Sequence, residues 1–340
     1  MATIYDLVTP KAQSARWEEN YKTRKPYMGE AFFPERKQLG TELSYLQGKS
    51  PKVRPLNLSS YDAKVISIGR EGFKTITTEI PFFKNDMKIN EKQRQQLNNV
   101  LQSNNDALIN PILNAIFDDQ STLLNNADVT REMMRMQLLT TGTIAFANNG
   151  QAIQYDFGVT NKPTTDWNDA STADPIADIS KWADDVEEAT GERPAIVLMN
   201  KVTLAKAAKA QSILDIFAKT VERPTTERVR KYMSDETQLR ILTYDKGYND
   251  EEGNFSKFVP DNTVVLFPEG AIGEGVFGTT PEESDLMTGA TDAQVSIVDM
   301  GVAITATKET DPVTVKTKVS MSYLPVLNRP ETIVIASVNG

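Results

Sequence analysis

The chain has 340 residues, 39% of them hydrophobic and 24% charged, with a net charge of −9 at neutral pH; this is ordinary globular composition, with length for two or three folding units and ample core. Cysteine and histidine are both absent, which excludes disulfides, thiolate nucleophiles, imidazole metal ligands and every Ser-His or Cys-His catalytic pair. The acidic balance argues against a protein that grips nucleic acid through bulk charge, because duplex affinity comes mainly from neutralised phosphates, and the short basic clusters KTRK (22–25) and RVRK (228–231) read as solvated faces.

No run approaches the roughly 18–20 apolar residues of a membrane span. The opening stretch MATIYDLVTPKAQSARWEEN lacks the apolar core of a signal peptide, so a cytoplasmic product is expected. Residues 1–50 are polar and punctuated by Pro10, Pro26 and Pro34, with aromatics scattered singly. Such a segment cannot hold its own core and reads as an arm lying on the rest of this chain or on another copy.

Residues 61–83 change character. AKVISI (63–68) and FKTITTEI (73–80) are rich in β-formers, and Gly69-Arg70-Glu71-Gly72 between them is turn chemistry. A two-stranded hairpin is marginal alone in water, so this one is expected to pack on a partner. The tip charges of Arg70 and Glu71 could pair with a neighbouring subunit; a solvated turn chosen for its glycines explains them equally well.

A long helix follows. Asn110-Pro111 combines an N-cap acceptor with proline at the first helical position, and Ile112, Ile116, Leu123, Ala127, Met134 and Leu138 recur at spacings of fours and sevens until Gly142 stops the pattern. Met133, Met134 and Met136 read as gap-filling core. Asn149-Gly150, between apolar runs, is a strong hairpin signal.

The stretch 174–191 predicts an acidic helix. Ile176, Ile179, Trp182 and Val186 form its buried stripe, and Asp184, Asp185, Glu187 and Glu188 occupy its wet face rather than a metal or acid–base cluster. PAIVLMN (194–200) then reads as a buried strand and 201–217 as one amphipathic helix, a small α/β layer. Residues 239–267 read as strand, long hairpin turn and strand, with 250–254 a turn rather than a calcium loop. Alternation from Val313 to Tyr323 predicts a long half-buried strand, and TIVIASV (332–338) a last one.

Residues 263–299 contain an apolar strand, then Gly273-x-Gly275-x-x-Gly278, then Asp299, the outline of a dinucleotide-binding fingerprint. In that fold the first glycine follows the strand closely and the helix opens inside the motif, so that its amides face the pyrophosphate. Here five residues intervene after Phe267, and a helix can begin only near Pro281. The glycines are therefore expected to shape a loop, and the motif to be a coincidence.

The same region carries a different likeness. FVPDNTVVLFPEG (258–270) resembles the Pro-Asp-Asn signature, followed by an apolar strand, near the end of lambda-type phage major capsid proteins, the capsid protein E family. REMMRMQLLTTGTIAF (131–146) with QAIQYDFG (151–158) resembles that family's helix end and strand pair. DWNDASTADPIADISKW (166–182) is similar to its tryptophan and Asp-Pro segment leading into a helix, and YLPVLNRPETIVIASV (323–338) to its terminal strands.

The resemblance implies an α+β, HK97-type shell fold. Its parts are an N-terminal arm (1–50), an extended β-hairpin or E-loop (51–95), a spine helix with peripheral domain (96–174), an α/β axial domain (175–300) and a long strand and terminal strand returning to the peripheral domain (301–340). It implies no catalytic residues, no cofactor and no metal. The implied role is a structural protein that self-assembles into hexamers and pentamers of an icosahedral head, in the virion, after assembly in the host cytoplasm. The head encloses double-stranded DNA without sequence-specific binding, and scaffolding, portal and decoration proteins are the expected partners. With no acidic helical segment ahead of residue 1, a separate scaffolding protein is expected. Gly69, Arg70, Glu71 and Gly72 are the candidate assembly contacts. Two rivals remain: a cytoplasmic α/β enzyme holding a nucleotide at 263–299, and a cellular nanocompartment shell of the same fold.

Overall fold

A computed structural model of the chain describes residues 24–48, 74–89, 106–148, 151–219, 224–250, 252–289, 294–298, 300–310 and 313–339, with isolated positions before 24 and between 91 and 99. In chain order the elements are α1 (Met28–Phe32), β1 (Glu35–Lys37), β2 (Glu42–Gln47), β3 (Lys74–Glu79), β4 (Phe82–Ile89), α2 (Asp106–Thr141), β5 (Thr143–Asn148) and β6 (Gln151–Asp156). Then come α3 (Pro175–Thr190), β7 (Ile196–Met199), α4 (Lys201–Ala207), α5 (Gln211–Ala218), α6 (Thr226–Thr237), β8 (Arg240–Thr243), β9 (Gly247–Asn249), β10 (Phe255–Lys257) and β11 (Thr263–Phe267). The last are β12 (Gly273–Phe277), α7 (Pro281–Thr288), β13 (Gln294–Val298), β14 (Val302–Thr310), β15 (Val313–Leu327), a 3₁₀ turn (Pro330–Thr332) and β16 (Val334–Ser337).

The α2 helix runs 36 residues, a rod of about 54 Å. It begins at Asp106 rather than at Asn110-Pro111; a proline so near the start forfeits a single backbone bond, which a helix this long tolerates. It stops where expected. Gly142 takes φ +76° and its N–H donates back to the Leu138 carbonyl, a conformation that costs glycine nothing. The β5–β6 pair follows, in register from Thr143↔Asp156 to Asn148↔Gln151; the expected turn residues Asn149-Gly150 lie outside the described residues.

A four-stranded sheet of order β16-β11-β7-β8 carries α3 to α6 on one face. Alternation sorts its side chains: Val197, Met199, Ile241, Val264 and Leu266 pack under these helices, while Ile196, Leu198, Val265 and Phe267 turn to the second core. At the start of α3 the Asp174 side chain accepts from the Ala177 N–H and Pro175 opens the first turn, and Gly191 in the left-handed region closes the helix. The expected single helix over 201–217 is instead two, because the chain bends at 208–210. There Ala207 and Ala210 are buried, and the Gln211 N–H is drawn to the Ala170 carbonyl.

The second core lies between α2 and a six-stranded sheet built on β15. Along one edge β15 pairs with β12 and then β4, and along the other with β14. The strand was expected to be half-buried, yet every residue from Val319 to Leu327 is buried, because α2 packs across this part of the sheet. The strands β8 and β11 are not hairpin partners either. Both flank β7, and the small β9–β10 pair fills the excursion between them.

The described part of the arm lies on this chain itself. α1 packs on α2, β1 runs parallel to β12, and β2 pairs with β3. The strand expected at 73–80 is present as β3 and pairs with β2; its expected partner at 63–68 is not among the described residues. Residues 49–73, including the expected strand at 63–68 and turn at 69–72, lie outside the described residues.

Candidate functional site

One face of α2 carries Asp128, Arg131, Glu132 and Arg135, at spacings that stack side chains on a helix, and all four are at most 4% exposed. Burying such groups is costly unless they are paired, so their partners define the site. Arg131 donates to Glu35 at 2.9 Å and to Asp128. Arg135 donates to the same Glu35 oxygen and, through Nε, to the Tyr323 hydroxyl at 2.8 Å. Each guanidinium also lies over a ring, Arg131 over Phe277 and Arg135 over Tyr323, 5.4 Å from the centroid in both cases. Glu35 on β1 is thereby fixed against α2, and β1 is fixed beside β12.

Glu132 has different company. Its Oε1 accepts from the Gly29 N–H at 3.0 Å and from the Tyr244 hydroxyl at 2.9 Å, while Oε2 has no hydrogen-bond partner and sits 3.8 Å from Arg135 Nη1. Burial pushes the Glu132 carboxyl above its ordinary value, against the opposing pull of the Gly29 N–H, Tyr244 and Arg135. Burial likewise pushes the Tyr323 phenol up to about 12 although Arg135 faces it. For Arg135, burial works against the charge, but Tyr323 and Glu35 outweigh it and hold the guanidinium more firmly protonated than in water.

Aromatic contacts complete the junction. Tyr27 meets Phe258 edge-on, Phe32 meets Phe267, and Arg24 and Lys246 both lie over the Tyr27 ring. Phe33, fully buried, explains the first glycine of the 273–278 motif: a Cβ on Gly273 would stand 2.0 Å from the Val326 carbonyl oxygen and 2.9 Å from the Phe33 ring. A Cβ on Gly275 would stand 2.4 Å from the Tyr323 hydroxyl. These glycines lie in β12, a strand and not the expected loop. They are small because a backbone and two rings approach closely, and their backbone takes part in the pairing with β1 and β15. Asp299 lies outside the described residues.

The Pro260-Asp261-Asn262 stretch has a structural role at the edge of the α/β layer. Asn200 caps α4 through Oδ1, which accepts from Thr203 N–H and Oγ1, while its Nδ2 donates to Asp261 and to the Val259 carbonyl. The Thr203 hydroxyl in turn accepts from the Asn262 N–H, and Asn262, at φ +62°, offers its carbonyl to the Val338 N–H. The motif thus ties together the ends of β7, β11 and β16. Hydrogen bonds from Lys257, then from Asn200, hold the Asp261 carboxyl below the usual range.

The sequence-predicted contacts Gly69, Arg70, Glu71 and Gly72 lie outside the described residues. Tyr45 packs against Phe157 with the rings tilted, Gln47 donates to the Phe157 carbonyl, and Tyr155 donates to the Glu79 carbonyl, so β5–β6 buttresses the β2–β3 pair. Sequence reasoning missed Glu35, Asp128, Arg131, Glu132 and Arg135. The one signal available was a charged row inside the otherwise apolar end of α2. Arg24 of the KTRK cluster pairs with Glu30 and Asp128, so it is not a merely solvated cation. Among the described residues no group of three or more acids could hold a metal ion.

The model of one family, phage major capsid protein E, matches residues 13–338. No curated protein matches the chain. Among solved structures, a candidate prophage capsid protein of Escherichia coli CFT073 aligns over 97% of this chain and 99% of its own, with a TM-score of 0.59 and 15% identity. A phage-related protein from Bordetella bronchiseptica RB50 aligns over 98% of both chains, with a TM-score of 0.59 and 13% identity. The capsid of cyanophage P-SCSP1u aligns over 93% of this chain and 89% of that one, with a TM-score of 0.50 and 10% identity.

Proposed function

The chain belongs to the phage major capsid protein E family, and from that premise we propose that it builds the hexamers and pentamers of an icosahedral head around a double-stranded DNA genome. Its fold is HK97-like and its role is structural, as a protein that self-assembles into the capsid of a virion. The finer reading is that it performs no chemistry, works through binding energy alone, assembles in the host cytoplasm, and meets separate scaffolding, portal and decoration proteins. The acidic net charge suits a wall that holds DNA without gripping it.

The single observation that carries this reading is the match of one capsid family along residues 13–338, so that arm, loop base, long helix and α/β layer belong to one design. In the domain reading, 1–50 is the arm, 51–95 the E-loop, 96–174 the spine helix and peripheral domain, 175–300 the axial domain, and 301–340 the return to the peripheral domain. The paired strands β2 and β3 flank the segment read as the E-loop. A loop in that position can lie across a neighbouring subunit, and many such modest contacts close a shell through multivalency.

The test is particle size, by light scattering and negative-stain microscopy, for the full chain and for a variant lacking residues 66–74, each co-expressed with its neighbouring genes. The full chain is expected to give closed particles, and the deletion soluble capsomer-sized rings that never close. Normal particles from the deletion would remove the assembly role of Gly69 to Gly72. A small discrete oligomer from the full chain under all conditions would overturn the hexamer and pentamer reading itself.

A further inference from the structure

Residues 24–37 touch three separate parts of the chain. Tyr27 and Phe32 pack on Phe258 and Phe267 at the α/β layer. Gly29 and Glu35 bond to Glu132, Arg131 and Arg135 of α2. β1 lies along β12 of the second sheet, from Glu35↔Gly275 to Lys37↔Phe277. Neither α1, with five residues, nor β1, with three, is long enough to hold its place through its own hydrogen bonds. The segment stays down because of what lies beneath it.

The charges at this contact are unevenly paired. Among the described residues the guanidiniums of Arg24, Arg131 and Arg135 face the carboxylates of Glu30, Glu35, Asp128 and Glu132. That is three guanidiniums for four carboxylates, with Lys246 over the Tyr27 ring as a further cation. Three carboxylates have a guanidinium within hydrogen-bonding reach. Glu132 does not: its nearest guanidinium nitrogen is 3.8 Å away, its Oε2 is unbonded, and it is 0% exposed. Among the described residues, the other titratable or charged groups facing the cluster are the phenols of Tyr27, Tyr244 and Tyr323, and Lys246 over Tyr27.

The Gly29 backbone lies directly over the unbonded oxygen. A Cβ there would stand 2.6 Å from Glu132 Oε2, 2.9 Å from Arg135 Cδ and 3.0 Å from Met136 Cε. Lifting residues 24–37 therefore returns this carboxyl to water, and laying them down seals it. An ionised carboxylate sealed without a close cation is far costlier than a neutral acid at the same place.

We propose that residues 24–37 are a strap whose closure onto α2 takes up one proton at Glu132, so that closing and opening of the strap are governed by pH. The linkage has a definite sign. The closed state binds the proton more tightly than the open one, in which Glu132 titrates near its ordinary value of 4.5. Closure is strongest below that value, weakens by up to about tenfold per pH unit as pH rises towards the closed-state value, and levels off above it, where both states are ionised. Glu282 is the internal contrast. It is another buried carboxylate, but Lys318 and Ser320 bond to it directly, and despite burial they hold it below its ordinary value.

The test is amide hydrogen exchange on the full-length protein from about pH 4.5 to 8, corrected for intrinsic rates, and read at residues 28–37 with β7 as reference. Protection of 28–37 is expected to fall with rising pH and then level off, while β7 does not follow. In Glu132→Gln the amide oxygen still accepts from Gly29 and Tyr244, no charge can form, and protection should be independent of pH. Glu282→Gln should keep the wild-type fall. Tyr244→Phe, which removes a donor favouring the ionised carboxylate, should carry the fall to higher pH; it decides the matter alone if Glu132→Gln does not fold. A flat wild-type profile, a Glu132→Gln profile that falls like wild type, an unmoved Tyr244→Phe profile, or equal loss of protection in β7 would each overturn the proposal.

Discussion

Under α3 to α6 the chain buries hydrocarbon, whereas under residues 24–37 it buries charge. The helix-covered core is made of Trp167, Ile179, Trp182, Val186, Ile213, Val229 and their neighbours, and its buried polar groups are neutral ones, Thr190, Asn200, Thr203 and Thr237. The seam on α2 buries two arginines and two acids as deeply. Apolar burial is non-directional and scales with area, so it holds layers together while tolerating small shifts between them. An ionic seam gains little net stability from being buried, since desolvation cancels much of the attraction. What it adds is position: α1 and β1 meet Glu132, Arg131 and Arg135 in one register, Gly29 at one oxygen of Glu132 and Glu35 at both arginines, and any slip breaks these bonds. The difference between the two regions is thus between cohesion and address.

The comparison breaks most sharply at Arg135. Removing it leaves Glu132 without its nearest guanidinium, Glu35 with Arg131 alone and the Tyr323 hydroxyl without its donor. Truncating one partner of a buried pair costs about 3–5 kcal/mol, so Arg135→Ala should lower the urea midpoint of the unassembled protein severely. Arg135→Met combined with Glu35→Leu should recover only part of that loss, because hydrophobic replacement of a buried pair is often neutral but Arg131 then lacks Glu35 and Glu132 its nearest guanidinium. The double variant should still lose the register of β1, seen as raised exchange at residues 35–37. Full recovery of both stability and protection would show that the seam holds no address. A smaller effect is expected on the apolar side, where Ile179, fully buried in α3, loses one methyl group in Ile179→Val. The cost there is about 0.5–1.5 kcal/mol, measured by the same midpoint, with exchange at 35–37 unchanged.

The apolar layer was also the part that could be read in advance. Asp174, Pro175 and Gly191 mark both ends of α3 by local chemistry, and of its predicted stripe Ile179, Trp182 and Val186 are buried and Ile176 half-buried. The pairing of β5 with β6 and the stop at Gly142 follow equally local signals. The seam was not legible, because an Asp-x-x-Arg-Glu-x-x-Arg row on a helix is the pattern of a solvated ion-pair face, and only the arrival of Gly29 and Glu35 from a distant segment buries it. The same limit applies to the glycine motif of β12. Local spacing suggested a loop, while the reason for the glycines sits in Phe33, Tyr323 and the Val326 carbonyl, each remote in sequence. The parallel pairing of β1 with β12 leaves no local trace at all.

The smallest expected effect belongs to another arginine with two acidic partners. Arg193 donates to Asp184 and, at 2.9 Å, to Glu187, a set of partners that on paper resembles that of Arg135. Both acids hold Arg193 more firmly protonated than usual, chiefly through these hydrogen bonds. Its side chain, however, is 35% exposed against 1% for Arg135, and its two acids are more exposed still. Water solvates all three groups whether or not they pair, and salt screens what attraction remains. Arg193→Ala should therefore leave the urea midpoint within error of wild type, at low and high salt alike. A loss approaching that of Arg135→Ala would mean that the count of partners, and not the burial of the charge, sets the strength of these pairs, and the contrast drawn between the two regions would fail at its root.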